Sequence, residues 1–284
     1  MSYNEKYVDL HIHTIYSDGS LTPTEAISYA KNRNIVVIGI TDHDTTDSVK
    51  EAIAVAKDYG IEIVSGVELA AEFKDSPEEE IHILGYFIDY NNENLQQQLK
   101  IFRNARQQRA EQIFNKLSHL GLNLDKQEIF KSQSIGRLHF ARILLKKGMV
   151  SNIKEAFEKY LGYGKPAYVP KLKLKTQQAI SIILQAGGIP VLAHPYANGY
   201  IDVNSIKKLI DQGVKGIEVY HPKHHKNAIE ELLIIAEKYD LLITGGSDCH
   251  GSLDSNNPTI GSLRLPYDMF LRLKEYKEQV LMKQ

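Results

Sequence analysis

The chain has 284 residues, of which 43% are hydrophobic, and this length and composition allow one large hydrophobic core. Its formal net charge of -1 and its pI near 6.8 argue against a broad basic surface for long duplex nucleic acid. A single cysteine excludes an internal disulfide framework and favours a reducing compartment. No apolar run approaches the ~20 residues that cross a bilayer, and residues 1–6 lack the apolar segment of a signal peptide. We therefore expect a cytoplasmic protein without a membrane partner.

Seven apolar runs rich in β-branched residues predict strands, and most of them are separated by stretches with helical periodicity. The predicted strands are Val8–Leu10, Ile35–Ile40, Ile61–Val67, Ile81–Phe87, Ile189–Ala193, Ile217–Tyr220 and Leu241–Thr244. The predicted helices are Thr24–Arg33, Ser48–Tyr59, Lys175–Ala186, Val203–Asp211 and Lys226–Tyr239. This alternation indicates an α/β fold with a parallel sheet. If the sheet closes into a barrel, the carboxyl ends of its strands meet at one rim.

Histidines and carboxylates follow almost every predicted strand. His11 and His13 come first, and both can face one ion because side chains alternate along an extended segment. That pair alone is weak evidence, since two histidines at this spacing also occur on ordinary polar strands. The pattern recurs at six further strands, with the residues Asp42, His43, Asp44, Glu68, His82, His194, His221, Asp248 and His250. The repetition predicts a metal cluster at the rim, although His82 lies near the start of its strand and fits least well.

The types of donor atom indicate which metals can bind here and which residues are not metal ligands. Imidazole and carboxylate donors without a thiolate favour Mn, Fe or Zn, and the number of imidazoles disfavours Mg or Ca. Cys249 lies between Asp248 and His250, so its side chain faces the opposite way in an extended segment and is expected to pack in the core. Three further histidines follow no predicted strand and are interpreted as solvated surface residues: His119, His224 and His225.

Six segments carry these residues in a distinctive order. They are His11-Ile12-His13 with Ser17-Asp18-Gly19, Ile40-Thr41-Asp42-His43-Asp44, Gly66-Val67-Glu68-Leu69, Ile81-His82-Ile83-Leu84-Gly85-Tyr86, Ala193-His194-Pro195 and Gly246-Ser247-Asp248-Cys249-His250-Gly251. Together they resemble the PHP (polymerase and histidinol phosphatase) family of metal-dependent phosphoesterases. The resemblance implies a distorted seven-stranded (β/α), TIM-like barrel with two or three divalent transition-metal ions. The chain is most similar to the bacterial 3′,5′-nucleoside bisphosphate phosphatases, some of which are also 5′ to 3′ exonucleases on short RNA.

The resemblance also implies which residues bind each ion. The first ion would be bound by His11, His13, Glu68 and Asp248. The second would share Glu68 and add His82 and His194. The third would be bound by Asp18, His43 and His250. Glu68 can bridge two ions because a carboxylate has two oxygens, and Asp42 and Asp44 would orient His43 or neighbouring ligands.

One region interrupts the alternation of strands and helices. Residues 91–173 contain no convincing strand, and helices are predicted there over Asn94–His119, Phe140–Lys147 and Asn152–Leu161, with Gly121 ending the first. We therefore predict a barrel domain of residues 1–90 and 174–284 and an inserted helical cap domain of residues 91–173. An insertion that follows a strand end lies over the active rim, where it can select substrates.

Within this insertion, Ser134–Arg142 is similar to the Gly-Arg-Pro-His segment of the family, with Leu138 in place of the proline. The resemblance implies that Arg137 and His139 bind a substrate phosphate. An arginine suits this role because its planar guanidinium donates two parallel hydrogen bonds to a phosphate. Arg142 is interpreted as a surface charge.

The residues and the resemblance together predict a metal-dependent phosphoesterase in which a metal-bound hydroxide attacks a phosphomonoester of a nucleotide. His221 directly follows a strand at the rim, so it is expected to bind phosphate or to give a proton to the leaving oxygen; a metal-bound water is the other candidate donor. Asp248 is expected to act in catalysis as well as in metal binding. The expected substrate is a small 3′,5′-bisphosphonucleotide, or a short single-stranded RNA. Two alternatives remain: a phosphatase of another metabolite such as histidinol phosphate, and a non-catalytic metal-binding module.

Overall fold

The computed structural model describes residues 6–73, 80–130, 135–197, 201–251 and 257–281, so Ser134 of the predicted substrate segment lies outside the described residues. The strands are β1 Tyr7–Ile12, β2 Ile35–Ile40, β3 Glu62–Glu72, β4 Glu80–Tyr86, β5 Leu174–Lys175, β6 Ile189–Leu192, β7 Gly216–Tyr220, β8 Leu242–Gly245 and β9 Leu265–Pro266. The helices are α1 Pro23–Asn32, α2 Asp47–Tyr59, α3 Glu93–His119, α4 Lys126–Ile129, α5 Arg137–Lys146, α6 Ile153–Ala156, α7 Thr176–Gln185, α8 Val203–Asp211, α9 Lys226–Lys238 and α10 Tyr267–Leu281. A π-helical segment, Phe157–Leu161, continues α6.

The described strands form one nearly closed, barrel-like sheet. Its main path runs β8-β7-β6-β4-β3-β2-β1-β9, and β5 pairs with β3 beside that path. The sheet nearly closes between β1 and the segment past β8, where Ile12 bridges Cys249 and the Cys249 carbonyl accepts a hydrogen bond from the His13 N–H at 3.0 Å. The mixed α/β fold is as predicted, and all seven predicted strands form. The count of seven was too low because β5 and β9 have two residues each, too few to leave a periodic pattern.

The prediction of a fully parallel sheet is wrong for β4. This strand is antiparallel to both of its neighbours, β3 and β6. The cause is the connection: β3 ends at Glu72 and β4 begins at Glu80, and parallel neighbours need a crossover of a dozen residues or more. Because β4 runs in the opposite direction, its start lies at the rim where the other strands end. This direction places His82 beside the residues that follow the parallel strands.

Local sequence explains how the elements next to the rim begin and end. Thr22 and Glu25 form a capping box at the start of α1, and Pro23 occupies the first turn. Past β8, the chain crosses directly over β1, and a β-carbon at Gly246 would collide with the backbone and β-carbon of His11. Only glycine allows this approach, which brings the segment containing Asp248 against the end of β1.

The helices of residues 91–173 have a hydrophobic cluster of their own. The first half of α3 contributes Leu95, Leu99 and Phe102 to the core on the barrel side. Its second half contributes Ala110, Ile113 and Leu117 to a separate cluster with α4, α5, α6 and the π-helical segment. The long helix thus joins two cores. None of the described helices is sufficiently long and apolar to span a membrane.

Candidate metal centre

The end of β1 presents two imidazoles to one space. His11 and His13 are fully buried, and their Nε2 atoms lie 3.1 Å apart. Two ring nitrogens at this distance can both point at one ion, which is the arrangement that the alternation of side chains predicted.

Glu68, in the buried part of β3, lies at the centre of the cluster. Its Oε1 atom is 2.8 Å from His82 Nδ1 and 2.9 Å from His194 Nε2. Its Oε2 atom is 3.5 Å from His11 Nε2 and 3.2 Å from His13 Nε2. The two oxygens therefore face two different sets of imidazoles, which is the geometry that a bridging carboxylate requires.

Asp248 closes the side of the cluster formed after β8. Its Oδ1 atom lies 3.1 Å from His13 Nε2 and 3.5 Å from His11 Nε2, while its Oδ2 atom lies 3.2 Å from His221 Nε2. His221 therefore contacts the cluster through Asp248. Its Nδ1 atom accepts the Lys223 N–H at 3.1 Å, so the neutral ring carries its proton on Nε2, facing Asp248.

A further group of donors surrounds Asp18. His250 Nε2 lies 3.2 Å from Asp18 Oδ1, and His43 Nε2 lies 3.9 Å from Asp18 Oδ2. The second ring nitrogen of His13, Nδ1, lies 4.0 Å from Asp18 Oδ1. His13 thus faces Asp248 with one nitrogen and Asp18 with the other.

The nine side chains that the resemblance implies as ligands all come together, in overlapping groups whose donor atoms lie within 4.8 Å of one another. The groups are His11-His13-Asp248, His11-Glu68-His194, His43-Glu68-His82 and His13-Asp18-His43-His250. They depart from the implied sets in three respects. His13 also belongs with Asp18, His43 also belongs with Glu68 and His82, and His194 approaches Glu68 together with His11 in a separate group.

Burial and the charges of adjacent cluster residues shift the pKa values within the cluster. Burial disfavours the ionised form of Glu68, but nearby imidazoles, above all that of His43, hold the pKa of the carboxyl well below its usual range. Burial also disfavours protonated His13, yet Asp248 and Glu68 raise the pKa of its ring to about 10. In contrast, burial lowers the pKa of His43 to about 4. The carboxylates are thus ionised and require positive charge between them.

Several buried donor atoms of the cluster suit a metal ion. Among the described residues, Oε2 of Glu68, Nδ1 of His13 and Oδ1 of Asp18 make no hydrogen bond of good geometry, although groups of opposite charge lie 2.9–4.0 Å from them. Buried polar atoms normally have a partner, because leaving one unsatisfied costs about 1–3 kcal/mol. Imidazole nitrogens and carboxylate oxygens in overlapping groups fit divalent transition metals, which would satisfy these atoms.

Three of the seven described non-glycine residues with a positive φ angle lie at this site. His194, Asp248 and Asp44 have positive φ angles of 25°, 49° and 53°, respectively. Residues with a β-carbon adopt this region at a cost of about 1–3 kcal/mol, and such residues cluster at functional sites. Pro195 follows His194 directly and restricts the backbone there.

Two carboxylates that support the ligands were not predicted. Glu218 of β7 is fully buried, lies 2.9 Å from His11 Nδ1 and accepts the His194 backbone N–H at 2.8 Å. Asp9 of β1 accepts the backbone N–H groups of Ser247 and Gly261, both at 2.8 Å. Glu218 fixes the orientation of His11, as the carboxylate partners of metal-binding histidines do. Asp9 ties the segment before Asp248 to β1.

Asp42 holds a neighbouring loop, and Asp44 binds an arginine of helix α3. Asp42 accepts hydrogen bonds from the Thr14 backbone N–H at 2.7 Å, from the Ser17 hydroxyl at 2.5 Å and from Ser48. It thereby fixes the loop that leads to Asp18. Asp44 receives both Nε, at 2.8 Å, and Nη2, at 2.5 Å, of the buried Arg106.

The residues predicted to bind substrate lie beside this cluster in the insertion. The Gly136 N–H donates to His139 Nδ1 at 3.1 Å at the start of α5. The Arg137 guanidinium donates to the Leu161 carbonyl at 3.2 Å and stacks with the rings of Phe157 and Tyr168, 5.5 Å and 5.6 Å away. Arg137 is therefore half-buried and its conformation is fixed within the insertion.

Two sequence interpretations are corrected. Arg142 is not a free surface charge: its guanidinium donates to the carbonyls of Asp18 at 2.7 Å and His250 at 3.0 Å. His224 is not a solvated histidine: it is buried, and its ring contacts the Val219 carbonyl at 2.9 Å because the chain turns back after β7. Three other expectations are confirmed by burial: Cys249 packs in the core, and His119 and His225 are exposed.

Comparisons with known proteins agree with this geometry. The PHP domain model matches residues 9–169. A 3′,5′-nucleoside bisphosphate phosphatase from Chromobacterium violaceum is 35% identical over 253 residues, which cover 86% of this chain and 87% of that protein. A 5′-3′ exoribonuclease from Haemophilus influenzae is 34% identical over 250 residues, 86% of this chain and 90% of that protein.

Two solved structures share the fold over nearly the whole chain. One is described as a metal-dependent phosphoesterase from Bifidobacterium adolescentis, with a TM-score of 0.85, 28% identity and 95% of both chains covered. The other is an amidohydrolase from Chromobacterium violaceum with bound sulfate, with a TM-score of 0.82, 31% identity and 95% and 96% of the two chains covered. The chain therefore belongs to the PHP family, and the protein is a metal-dependent phosphoesterase.

Proposed function

We propose that the protein removes a phosphate from a small doubly phosphorylated nucleotide, a 3′,5′-bisphosphonucleotide, and that it also accepts short oligoribonucleotides. The observation that carries this proposal is the overlap of four donor groups around Glu68 and His13, directly beside basic residues of the insertion. The donor groups, with metal ions bound, can hold the phosphate that is hydrolysed, and the basic residues can bind a second phosphate. The names of the relatives from Chromobacterium violaceum and Haemophilus influenzae support a nucleotide or RNA substrate.

We infer that two or three Mn, Fe or Zn ions bind to the nine residues of the overlapping groups. When bound, such ions would lower the pKa of water to roughly 7 and neutralise the charge of the phosphate oxygens. The protein's own contribution is to hold the donors. Glu68 separates two sets of imidazoles by its two oxygens, and Glu218 keeps the ring of His11 in one orientation.

His139 and Arg137 are proposed to hold the substrate phosphate. Because His139 Nδ1 accepts the Gly136 N–H, its neutral ring carries the proton on Nε2 and can donate it in a hydrogen bond. Burial lowers the pKa of His139, so the ring is neutral at pH 7. Among the described residues, Arg137 donates one hydrogen bond, to the Leu161 carbonyl, so its other N–H groups can bind a phosphate. The sulfate in the similar amidohydrolase structure is an oxyanion of the same shape.

His221 is proposed to give a proton to the leaving ribose oxygen. Its Nε2–H faces Asp248, while Nδ1 is held by the Lys223 N–H. This arrangement keeps the proton on the side of the metal centre, which is the position that a general acid needs. Asp248 would orient His221 and take part in metal binding at the same time.

A substrate panel tests the proposal. With Mn supplied, we expect kcat/KM for phosphate release from a 3′,5′-bisphosphonucleotide to exceed that from a 5′-mononucleotide or histidinol phosphate by roughly tenfold or more, since a second charged contact is worth about 1.5–3 kcal/mol. Chelator-treated enzyme, before and after Mn is restored, is the control. If histidinol phosphate is the best substrate, the nucleotide proposal is wrong. If nothing turns over with Mn, Fe or Zn, the catalytic proposal fails.

A further inference from the structure

Glu80, the first residue of β4, lies beside a metal ligand and is not itself one of the implied ligands. Its Oε1 atom lies 3.1 Å from Nε2 of His82, while the other ring nitrogen, Nδ1, lies 2.8 Å from Oε1 of Glu68. Glu80 and His82 are two residues apart in the strand, so their side chains share one face of it. In the part of the chain that the structure describes, Glu80 belongs to none of the four donor groups. Its link to the metal centre is the ring of His82.

Two lysines at the end of the insertion hold Glu80. Lys171 Nζ lies 3.7 Å from Oε1 of this carboxylate, and Lys173 Nζ lies 3.6 Å from Oε2. The lysines reach it because β5, which directly follows them, pairs with the end of β3, opposite the start of β4. Burial disfavours the ionised form of Glu80, but Lys171 and the ring of His82 hold the pKa of its carboxyl well below the usual range. Glu80 is thus an ionised and well-anchored acceptor.

The two carboxylates around His82 select one orientation of its ring. Rotating an imidazole by half a turn about the bond to its β-carbon exchanges the positions of Nδ1 and Cδ2, and those of Nε2 and Cε1. In the rotated ring, carbon atoms would face both Glu68 and Glu80, and both short contacts would be lost. An ionised carboxylate only accepts hydrogen bonds, so a neutral ring that presents Nδ1 to an ion beside Glu68 keeps its proton on Nε2, facing Glu80.

Two other histidines of the centre are held in the opposite sense. His11 contacts Glu218 through Nδ1 at 2.9 Å, and His250 contacts a backbone carbonyl through Nδ1, also at 2.9 Å. Their Nε2 atoms face the donor groups. His82 is reversed, with Nε2 held and Nδ1 facing the donors. Nδ1 is the nitrogen nearer to the backbone, which suits a ring on the strand directly beside that of Glu68.

We propose that Glu80 is the positioning residue of His82, and that it makes His82 bind its ion through Nδ1 instead of Nε2. Glu80 orients the ring and retains the Nε2 proton, as the carboxylate partners of metal-binding histidines do. Lys171 and Lys173 fix this carboxylate in turn, so part of the support for a ligand on the barrel comes from the insertion. The inference rests on the proposed function in one respect, the binding of metal at the donor group that contains His82.

Nuclear magnetic resonance of the Zn-loaded wild-type protein tests the orientation of the ring directly. Spectra that correlate the carbon-bound ring protons with both ring nitrogens distinguish Nδ1 from Nε2, and a Zn-bound nitrogen from a protonated one. We expect His82 to have Zn on Nδ1 and a proton on Nε2, and His11 to have the reverse. The His82 signals are identified by their absence from the spectrum of His82→Gln. Zn on Nε2 of His82 would overturn the proposal, and this test needs no variant of Glu80.

Glu80→Ala tests the supporting role. Without the carboxylate the ring of His82 can rotate, so we expect the Zn affinity of its donor group to fall by roughly 10- to 100-fold while the other affinities stay unchanged. His82 should also no longer be restricted to Nδ1 in the spectrum, a change that a general loss of stability would not cause. Competition with a chelator gives the affinities, and anomalous scattering shows which group has lost its ion. An unchanged affinity, or an equal loss at every group, would overturn the proposal.

Glu72→Ala is the matched control. Glu72 lies opposite Glu80 on β3 and is exposed, so this change removes the same charge next to Glu80 without removing the contact with His82. We expect its Zn affinities and the His82 signals to be those of the wild-type protein. If Glu72→Ala weakens Zn binding as much as Glu80→Ala, the effect is one of charge alone and the positioning role is wrong.

Failure of this inference and failure of the proposed function give different results. If the wild-type protein binds Zn through Nδ1 of His82 and Glu80→Ala weakens that binding, but no nucleotide is hydrolysed, the proposed activity fails and the role of Glu80 stands. If Glu80→Ala binds Zn as the wild-type protein does, the role of Glu80 fails and the proposed metal binding stands. If the wild-type protein binds no Zn at this donor group, both are wrong.

Discussion

The metal centre has an inner half and an outer half that are supported in different ways. In the inner half, the ligands His11 and His194 are both held by Glu218, a buried carboxylate in β7 of the same sheet. In the outer half, Asp18 and His250 are held by their backbone carbonyls, which both accept hydrogen bonds from Arg142 of the insertion. The first half is supported from within the barrel, and the second is also supported from a second hydrophobic core, through Arg142.

This difference in support predicts a difference in metal binding. A ligand that is already fixed in the productive orientation loses little entropy when it binds an ion, so rigid support raises affinity. The support of the inner half lies within the sheet and cannot move independently of it. The support of the outer half depends on how α5 packs against the barrel. We therefore expect the inner groups to bind metal more tightly than the Asp18 group.

The largest effect should come from the residue whose two oxygens serve different sets of imidazoles. Glu68 faces His82 and His194 with Oε1, and it faces His11 and His13 with Oε2. Glu68→Ala should therefore reduce bound metal to about one ion per chain, held by the Asp18 group, which does not contain Glu68, and lose more metal than any single histidine change. Elemental analysis of metal-replete protein measures this. Glu72→Ala, at the exposed end of the same strand, is the control, and retention of two ions in Glu68→Ala would contradict the bridging role.

A smaller effect, confined to the inner half, is expected for Glu218→Gln. The amide is close to the carboxylate in size but has no charge to orient the ring of His11. Loss of such a supporting carboxylate typically costs about 10- to 100-fold in metal affinity. Competition with a chelator gives the affinity, and anomalous scattering shows which group has lost its ion. If the ion at Asp18 is lost first, the division into two halves is wrong.

Much of the metal centre could be predicted from sequence because its signal is local. Most of the ligands lie beside an apolar run, and the placement of His194 needs only the fact that parallel strands end at one rim. Asp18 lies in a turn instead and was implied only by the resemblance. The direction of β4 is different, since it depends on the short connection before Glu80 and on pairing with two neighbours. Without the direction of β4, His82 appeared to lie at the wrong end of its strand, although the antiparallel strand places it at the rim.

The supporting residues were harder to predict, because their partners are distant in sequence. Glu218 did leave a signal: it is a lone carboxylate inside the apolar run Gly216–Tyr220, and acidic residues are rarely buried without a partner. Arg142 left no such signal, because its partners Asp18 and His250 lie 124 and 108 residues away from it in the chain. The helices of the insertion follow from their periodicity, but the way they pack against the rim does not.

The smallest effect is expected for Arg142→Gln, which tests the outer half alone. A glutamine is too short to reach both carbonyls that Arg142 joins, so the loops of Asp18 and His250 should lose their common support. We expect the affinity for one ion to fall by roughly five- to tenfold, equivalent to about one hydrogen bond of 1–1.4 kcal/mol, and the other affinities to remain. Lys146→Gln, on the same helix but exposed and paired with Glu128, is the matched control. A chelator titration gives the metal affinity of each site. If the inner sites lose as much affinity as the Asp18 site, the comparison is wrong, because the insertion would then support the whole centre.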